Sequence, residues 1–172
     1  MNRIAEFEKV SYEQFKKDVN KLVPEFDENT IRYYYDKIQL PTRATKGSAG
    51  YDFKAPYGFD IMKGKPRVIP TGIRCKIDEG WVLQIYPRSG LGFKHGVALY
   101  NTVGIIDSDY YNALNEGHIF IKLTNDSHTG LTVSVKKGEA FAQGIFIPFG
   151  ITIDDDACDE RTGGMGSTNK KN

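Results

Sequence analysis

Five short segments of this 172-residue chain contain residues whose chemistry the needs of turns and strand ends do not explain. Residues 101–110, the third segment, offer the most chemistry, and their pattern of strand, glycine turn and strand predicts a hairpin. Asn101 can donate and accept hydrogen bonds, as reading a base edge requires, and Tyr110 has a flat apolar face for a sugar. Asp107 can orient or deprotonate a water. A plain hairpin with solvated carboxylates has the same pattern, so this segment alone does not decide the function.

The second and fourth segments have side chains that suit phosphates. Arg88 and Ser89, followed by Gly90, offer a guanidinium, a hydroxyl and backbone N–H groups. Arginine suits a phosphate because its planar fork matches two of the oxygens. An ordinary turn with a surface arginine has the same sequence. Gln143 interrupts an apolar strand, so it needs a hydrogen-bond partner in the protein or in a ligand.

The first and fifth segments consist mainly of small residues. In residues 44–52 they let the backbone approach a ligand closely, and Asp52 can face a metal; a loop leading into a strand is the alternative. In residues 161–168, Arg161 joins glycines and hydroxyls, which suits a phosphate clamp, although the spacing and lysine of a Walker loop are missing. Composition alone assigns this glycine-rich end to a disordered tail.

Alternation of apolar and polar residues, from about residue 37 onward, indicates the elements that position these segments. The runs are short, and turn pairs such as Glu79-Gly80 and Lys137-Gly138 separate them. They cover residues 73–77, 81–86, 119–124, 131–136 and 141–147. Short alternating runs joined by glycine turns predict an all-β, jelly-roll-like barrel.

The N-terminal part has a helical pattern instead. Ser11 and Gln14 have the spacing of a capping box, and apolar residues recur at helical spacing until Pro24. A second short helix is predicted after Asp27. We therefore divide the chain into an N-terminal helical extension (1–36), a β barrel (37–160) and a glycine-rich arm (161–172).

Composition limits the classes of partner. The net charge of +1 argues against stable nucleic-acid binding, and no apolar run approaches the roughly 20 residues of a membrane span. Charged residues among the first ten argue against a signal peptide. Cys75 lies in an alternating run and is predicted to be a small buried apolar residue. The histidines lack paired metal spacing and are predicted at the surface or in loops: His95, His118 and His128.

Taken in order, the five segments resemble the five motifs of the trimeric dUTPase family, from about residue 38 to residue 168. The third is the sharpest match, because its Asn, Gly, Asp and Tyr stand at the family's relative positions. The resemblance implies magnesium-dependent hydrolysis of dUTP to dUMP and pyrophosphate, which keeps uracil out of DNA and supplies dUMP for dTMP synthesis. It also implies a jelly-roll subunit in a homotrimer with active sites shared between subunits. The implied location is the cytoplasm of a bacterial cell, with a phage as the alternative source of the gene.

The resemblance also implies residue roles. Asp107 would position the attacking water, and Asp52 would act on Mg²⁺ through the water shell of the ion. Tyr110 would leave no room for a ribose 2′-hydroxyl, and the arm of another subunit would close over the ligand. The implied substrate-binding residues are Arg88, Ser89, Gly90, Asn101, Gly104, Ile106, Tyr110, Gln143, Arg161, Met165, Gly166 and Ser167.

Three features depart from the family pattern. The loop after Tyr110 is a few residues longer, the helical extension has no counterpart in the family core, and Met165 stands where the family commonly has Phe. The extension and the loop at 111–117 are therefore candidate surfaces for a protein partner, and a non-enzymatic regulatory trimer would use them. A dCTP deaminase on the same fold is the other alternative, and it would need Glu116 beside the base.

Overall fold

The structure is a computed structural model, which describes residues 2–158, 161 and 163. Its helices are α1 (Tyr12–Leu22), α2 (Glu28–Asp36) and α3 (Ser89–His95), with a 3₁₀ turn at Asp109–Asn112. Its strands are β1 (Ala5–Lys9), β2 (Thr42–Arg43), β3 (Tyr51–Lys54), β4 (Phe59–Ile61), β5 (Arg67–Pro70), β6 (Ile73–Ile77), β7 (Trp81–Pro87), β8 (Val97–Leu99), β9 (Gly104–Ile106), β10 (Phe120–Asn125), β11 (Val133–Val135) and β12 (Ala140–Pro148). None of the described helices is both long enough and apolar enough to cross a bilayer.

The strands form antiparallel sheets around one apolar core. The largest sheet has the order β2-β3-β12-β7-β9, and a second has the order β5-β10-β8. Two further pairs are β1-β6 and β11-β4. The alternating runs are confirmed as strands, and their inward-facing residues, such as Leu83, Ile121 and Phe141, are fully buried. This is the jelly-roll-like β fold that the pattern of short runs predicts.

The N-terminal segment begins with a strand, which the division into an extension and a barrel did not foresee. Strand β1 pairs with β6 along its whole length, from Ala5 opposite Ile77 to Lys9 opposite Ile73. Phe7 of β1 packs against aromatic rings of the large sheet. The two helices are thus an excursion between β1 and β2, and we call residues 10–41 the helical insertion.

Both predicted helices are present, and both have side-chain caps. Ser11 caps α1, because its Oγ accepts a hydrogen bond from the backbone N–H of Gln14 at 3.1 Å. Only half of the predicted capping box forms, since the Gln14 side chain donates to Asp18 at 2.7 Å. The backbone N–H of Ser11 instead donates to a carboxylate from the other end of the chain, Glu116, at 2.7 Å. Asp27 caps α2 in the same way as Ser11 caps α1.

Candidate active site

Three of the predicted site residues meet at one end of the large sheet. Gln143 on β12 pairs with Asp52 on β3 and, on its other side, with Tyr86 on β7. Arg88 directly follows β7, and its Nη1 forms an ion pair with Asp52 Oδ2. The Gln143 Nε2 donates to the Pro87 carbonyl at 3.1 Å. We call Asp52, Arg88 and Gln143 the Arg88 cluster.

The helix that follows adds backbone donors to this cluster. Arg88 is the N-cap of α3, and Ser89 and Gly90 are the first exposed residues of that helix. Within the described part of the chain, no side chain caps this helix start. The first N–H groups of a helix have no partner inside the helix, and they attract anions. The guanidinium and the helix start therefore present adjacent hydrogen-bond donors.

The Asp107 cluster, which consists of Asp107, Asp109, Tyr110 and Arg161, is the second group. Asp107 follows β9, and its side chain is 60 % exposed. The Arg161 Nη1 lies 3.2 Å from Asp107 Oδ2 and 3.5 Å from Asp109 Oδ1. The Arg161 guanidinium also lies 5.0 Å from the centroid of the Tyr110 ring. In this structure, Arg161 neutralises the carboxylates and covers the tyrosine.

The prediction of a hairpin at residues 101–110 is wrong, because the two strands of this region do not pair with each other. Strand β8 pairs with β10 and β9 pairs with β7, so residues 100–103 cross from one sheet to another. Thr102 takes a left-handed conformation there, with φ 68°. Asn101 is exposed on this crossing. A Cβ at Gly104 would come within 3.0 Å of a neighbouring side chain, and Ile106 is buried, so these two residues can meet a ligand only through their backbones.

A single chain keeps the two clusters apart. Ile106 is paired with Leu83 on β7, so Asp107, one residue further, lies level with Val82. Arg88 lies at the opposite end of β7. Since each strand residue advances about 3.3 Å, six residues separate the two positions by roughly 20 Å.

The remaining predicted residues belong to the arm. Met165, Gly166 and Ser167 lie outside the described residues. Arg161 is described, and its contacts are to Asp107 and Asp109 of the same chain.

The sequence interpretation missed three residues that support the Asp107 cluster from behind: Asp18, Asn115 and His118. His118 lies in the loop before β10, which is one of the two predicted places, but its side chain is fully buried. Its Nδ1 lies 2.6 Å from Asp18 Oδ2 on α1. The Asn115 Nδ2 donates to the Tyr110 hydroxyl at 2.8 Å. No spacing rule connects positions 18 and 118, so only the fold reveals this network.

Carboxylates and imidazoles do not form a dense cation site here. Among residues 2–158, 161 and 163, no group of three or more His, Cys, Asp or Glu side chains could hold a metal ion. Mg²⁺ keeps several waters and often binds through substrate phosphates plus one or two carboxylates. A lone carboxylate at Asp52 fits that mode of binding.

Comparison with known proteins identifies related sequences and structures. The sequence model of the dUTPase family matches residues 36–169. The deoxyuridine 5′-triphosphate nucleotidohydrolase of Lactococcus lactis is 42 % identical over 144 residues, which are 82 % of this chain and 95 % of that protein. The crystal structure of dUTPase from Streptococcus mutans matches with a TM-score of 0.63 and 36 % identity, over 87 % of this chain and 98 % of that one.

A more distant relative shares the fold alone. A mutant dUTPase from phage phi11 of Staphylococcus aureus, in which a structural Mg(II) ion is coordinated, matches with a TM-score of 0.63 and 19 % identity, over 91 % of this chain and 98 % of that one. The family match extends over more than two thirds of the chain, and relatives are about 40 % identical. This chain belongs to the dUTPase family.

Proposed function

We propose that this protein hydrolyses dUTP to dUMP and pyrophosphate, keeping uracil out of DNA and supplying dUMP for dTMP synthesis. The observation that carries the proposal is the exposed Asp107 carboxylate, which lies with Tyr110 in the segment that best fits the family pattern and contacts the same Arg161 guanidinium as the Tyr110 ring. Family membership supports it, because relatives at about 40 % identity are named for this activity. Those relatives come from bacteria, and we propose a bacterial cytoplasmic enzyme whose gene belongs to the cell or to a phage.

The segment at 101–110 is the proposed nucleoside site. The exposed Asn101 amide can read the uracil edge together with backbone groups of Gly104 and Ile106. The Tyr110 ring would lie under the deoxyribose, where a ribose 2′-hydroxyl would collide with it. In the proposed complex, the Met165, Gly166 and Ser167 segment would cover the base and the phosphates.

Asp107 is the proposed catalytic residue. It would orient a water whose oxygen attacks the α-phosphorus, and it would accept a proton from that water. The bond from the α-phosphorus to the bridging oxygen would break, and pyrophosphate would leave. Arg161 would leave Asp107 of its own chain and contact the γ-phosphate in the site of a neighbouring subunit, which would free the Asp107 carboxylate that it leaves.

The Arg88 cluster is the proposed phosphate site. Arg88, the Ser89 hydroxyl, the N–H of Gly90 and the Gln143 amide would hold the oxygens of the triphosphate. Fixed donors at that position stabilise the charge that develops on the leaving pyrophosphate. Asp52 would hold Mg²⁺ through water, and the ion would neutralise phosphate charge when bound.

A homotrimer with shared active sites completes the proposal. The roughly 20 Å between Asp107 and Arg88 along β7 supports a site whose two clusters come from different chains. Apolar side chains that are exposed near the C-terminal end of the described chain suit a contact with another subunit: Phe149, Ile151 and Ile153. Each arm would reach the site of a neighbouring subunit.

The structure does not favour the deaminase alternative. Deamination would need a free Glu116 carboxylate beside the base, yet both of its oxygens accept hydrogen bonds from Ser11, at 2.7 and 2.6 Å. Burial raises the pKa of Glu116, but the hydrogen bonds from Ser11 outweigh it and lower that pKa overall. A carboxylate held ionised at the start of α1 is a helix anchor.

The decisive experiment is pyrophosphate release from dUTP, dCTP, dTTP and UTP in the presence of magnesium. We expect selective cleavage of dUTP, and a loss of roughly 10³-fold in kcat in Asp107→Asn, within the range for removing a general base. Asp78→Asn, the same change at an exposed turn residue, is the control and should keep full activity. A folded wild-type trimer that releases no pyrophosphate from dUTP would overturn the proposal.

A further inference from the structure

The hydroxyl of Tyr110 is fixed from two sides. It donates to the His118 carbonyl at 2.7 Å and accepts from the Asn115 Nδ2 at 2.8 Å. The Asn115 Nδ2 also lies 3.3 Å from the same carbonyl, so the three groups form a closed triangle. Tyr110 is only 2 % exposed, and burial raises the pKa of its hydroxyl, which therefore remains a donor. The position of the ring depends on where the His118 backbone lies.

The His118 side chain is held at both ring nitrogens. The backbone N–H of Gly72 donates to Nε2 at 2.8 Å, so Nε2 is unprotonated and the ring proton is on Nδ1. That Nδ1–H donates to Asp18 Oδ2 on α1 at 2.6 Å. The rings of Phe15 and Phe120 lie beside the imidazole, with centroids 6.2 and 4.6 Å away. A buried imidazole with two fixed partners holds its own backbone in place.

The loop between Tyr110 and His118 is anchored to the same helix. Glu116 accepts hydrogen bonds from the backbone and the hydroxyl of Ser11, the N-cap of α1. Glu116 and Gly117 both have left-handed backbones, with φ 57° and 68°. A Cβ at Gly117 would lie 2.7 Å from the Tyr110 carbonyl oxygen, so the loop folds tightly back on the tyrosine. The helical insertion and the long loop therefore meet at two points, Ser11 with Glu116 and Asp18 with His118.

We infer that Asp18, Asn115 and His118 are positioning residues for Tyr110, through which the helical insertion sharpens the choice of deoxyribose over ribose. The inference rests on the proposed function, in which the Tyr110 ring lies under the sugar. A ribose differs by one hydroxyl, so a small outward shift of the ring admits it. The triangle of hydrogen bonds resists that shift only while the His118 backbone is fixed, and the helix fixes it through Asp18.

The test is the ratio of kcat/KM for dUTP to kcat/KM for UTP. We expect Asp18→Ala and Asn115→Ala each to lower this ratio about tenfold, which corresponds to about 1.4 kcal/mol of discrimination. Most of the change should be a gain with UTP. Asp18→Asn should restore the ratio, because one amide oxygen can still accept from both His118 and Gln14, which share Asp18 Oδ2. Glu13→Ala, on an exposed position of the same helix, is the matched control.

The outcomes separate this inference from the proposed function. If the wild type does not hydrolyse dUTP, the proposed function fails. If it hydrolyses dUTP selectively, but Asp18→Ala and Asn115→Ala lower only the melting temperature and leave the dUTP-to-UTP ratio unchanged, the three residues are merely structural and the inference is wrong. Equal loss of the ratio in Asp18→Ala and Asp18→Asn would also contradict it, since the hydrogen bond survives in Asp18→Asn.

Discussion

Two aspartates of the site are each paired with an arginine but differ in exposure, which suits them to the different roles proposed for them. The Asp52 side chain is 17 % exposed and paired with Arg88, whereas the Asp107 side chain is 60 % exposed. A largely buried carboxylate can orient the side chain that it pairs with, while an exposed carboxylate can also bind a water. In the proposed complex, Arg88 would serve Asp52 and the phosphates together, and a planar guanidinium with five donors can do so.

Arg88→Lys tests this double role. Lysine keeps the charge but presents a single ammonium point, so it cannot bind Asp52 and two phosphate oxygens in one plane. We expect kcat/KM for dUTP to fall at least about tenfold, in the range of one or two charged hydrogen bonds. Arg67→Lys, on β5, is the control for replacing an arginine by a lysine and should keep the wild-type kcat/KM. Unchanged steady-state kinetics in Arg88→Lys would mean that only charge matters at this position.

Residue type alone predicted part of the site. Asp52, Arg88 and Gln143 were selected as separate segments, and the sheet brings these three together. Their meeting was not predictable, because it depends on strand order. His118 was misread because a buried histidine needs partners, and those partners, Asp18 and Gly72, lie far away along the chain.

At the scale of elements, the helical insertion is fastened to the barrel by carboxylates. Glu116 accepts a hydrogen bond from Ser11 at the start of α1, and Asp18 on the same helix accepts one from His118. Glu116 also replaces the missing half of the capping box, which the Gln14 side chain does not supply. The sequence analysis predicts the helical insertion and the loop at 111–117 as candidate surfaces for a protein partner. Part of that surface is used for contacts within the chain.

This docking should weaken in acid. Burial raises the pKa of both carboxyls, but hydrogen bonds from His118 and Gln14 to Asp18, and from Ser11 to Glu116, outweigh it and lower each pKa overall. A lowered pKa gives stability that is present above the ordinary carboxyl range, near pH 4, and is lost as pH falls through the folded-state value. We expect the melting temperature to drop more steeply below pH 4 in the wild type than in Glu116→Gln.

The measurement is thermal unfolding by circular dichroism between pH 7 and pH 3. Glu139→Gln serves as the control, because that carboxylate accepts a backbone hydrogen bond from Lys136 within its own exposed turn. Its curve should follow the wild type more closely than that of Glu116→Gln. Parallel pH curves for the wild type and Glu116→Gln would show that Glu116 contributes nothing to the docking.

Some strands are easier to predict from the sequence than others. Strands β6, β7 and β10 follow from alternation, since one face of each is buried and the other is not. Strand β1 gave no such signal, because Phe7 is its only large apolar residue among charged neighbours. The hairpin at 101–110 was mispredicted because a glycine turn between two apolar runs does not reveal that each run pairs in a different sheet.

At the scale of the whole molecule, the charge is nearly balanced while the site groups are segregated. The net charge is +1, yet the guanidinium of Arg88 and the exposed carboxylate of Asp107 lie at opposite ends of β7. In the proposed trimer, an assembly that brings the Arg88 cluster of one chain beside the Asp107 cluster of another completes a site. The closed symmetry of a homotrimer would repeat that contact three times.

Complementation between two inactive variants tests this assembly directly. Asp107→Asn inactivates the Asp107 cluster and Arg88→Ala inactivates the Arg88 cluster, so each pure trimer has three defective sites. In trimers refolded from an equal mixture, a site is intact when its Asp107 comes from one variant and its Arg88 from the other. Random assembly gives each condition a chance of one half, so we expect about a quarter of the wild-type activity. Mixing the two proteins after separate refolding is the control and should restore nothing. If co-refolded trimers also stay inactive, the two clusters act within one chain, and the shared site is wrong.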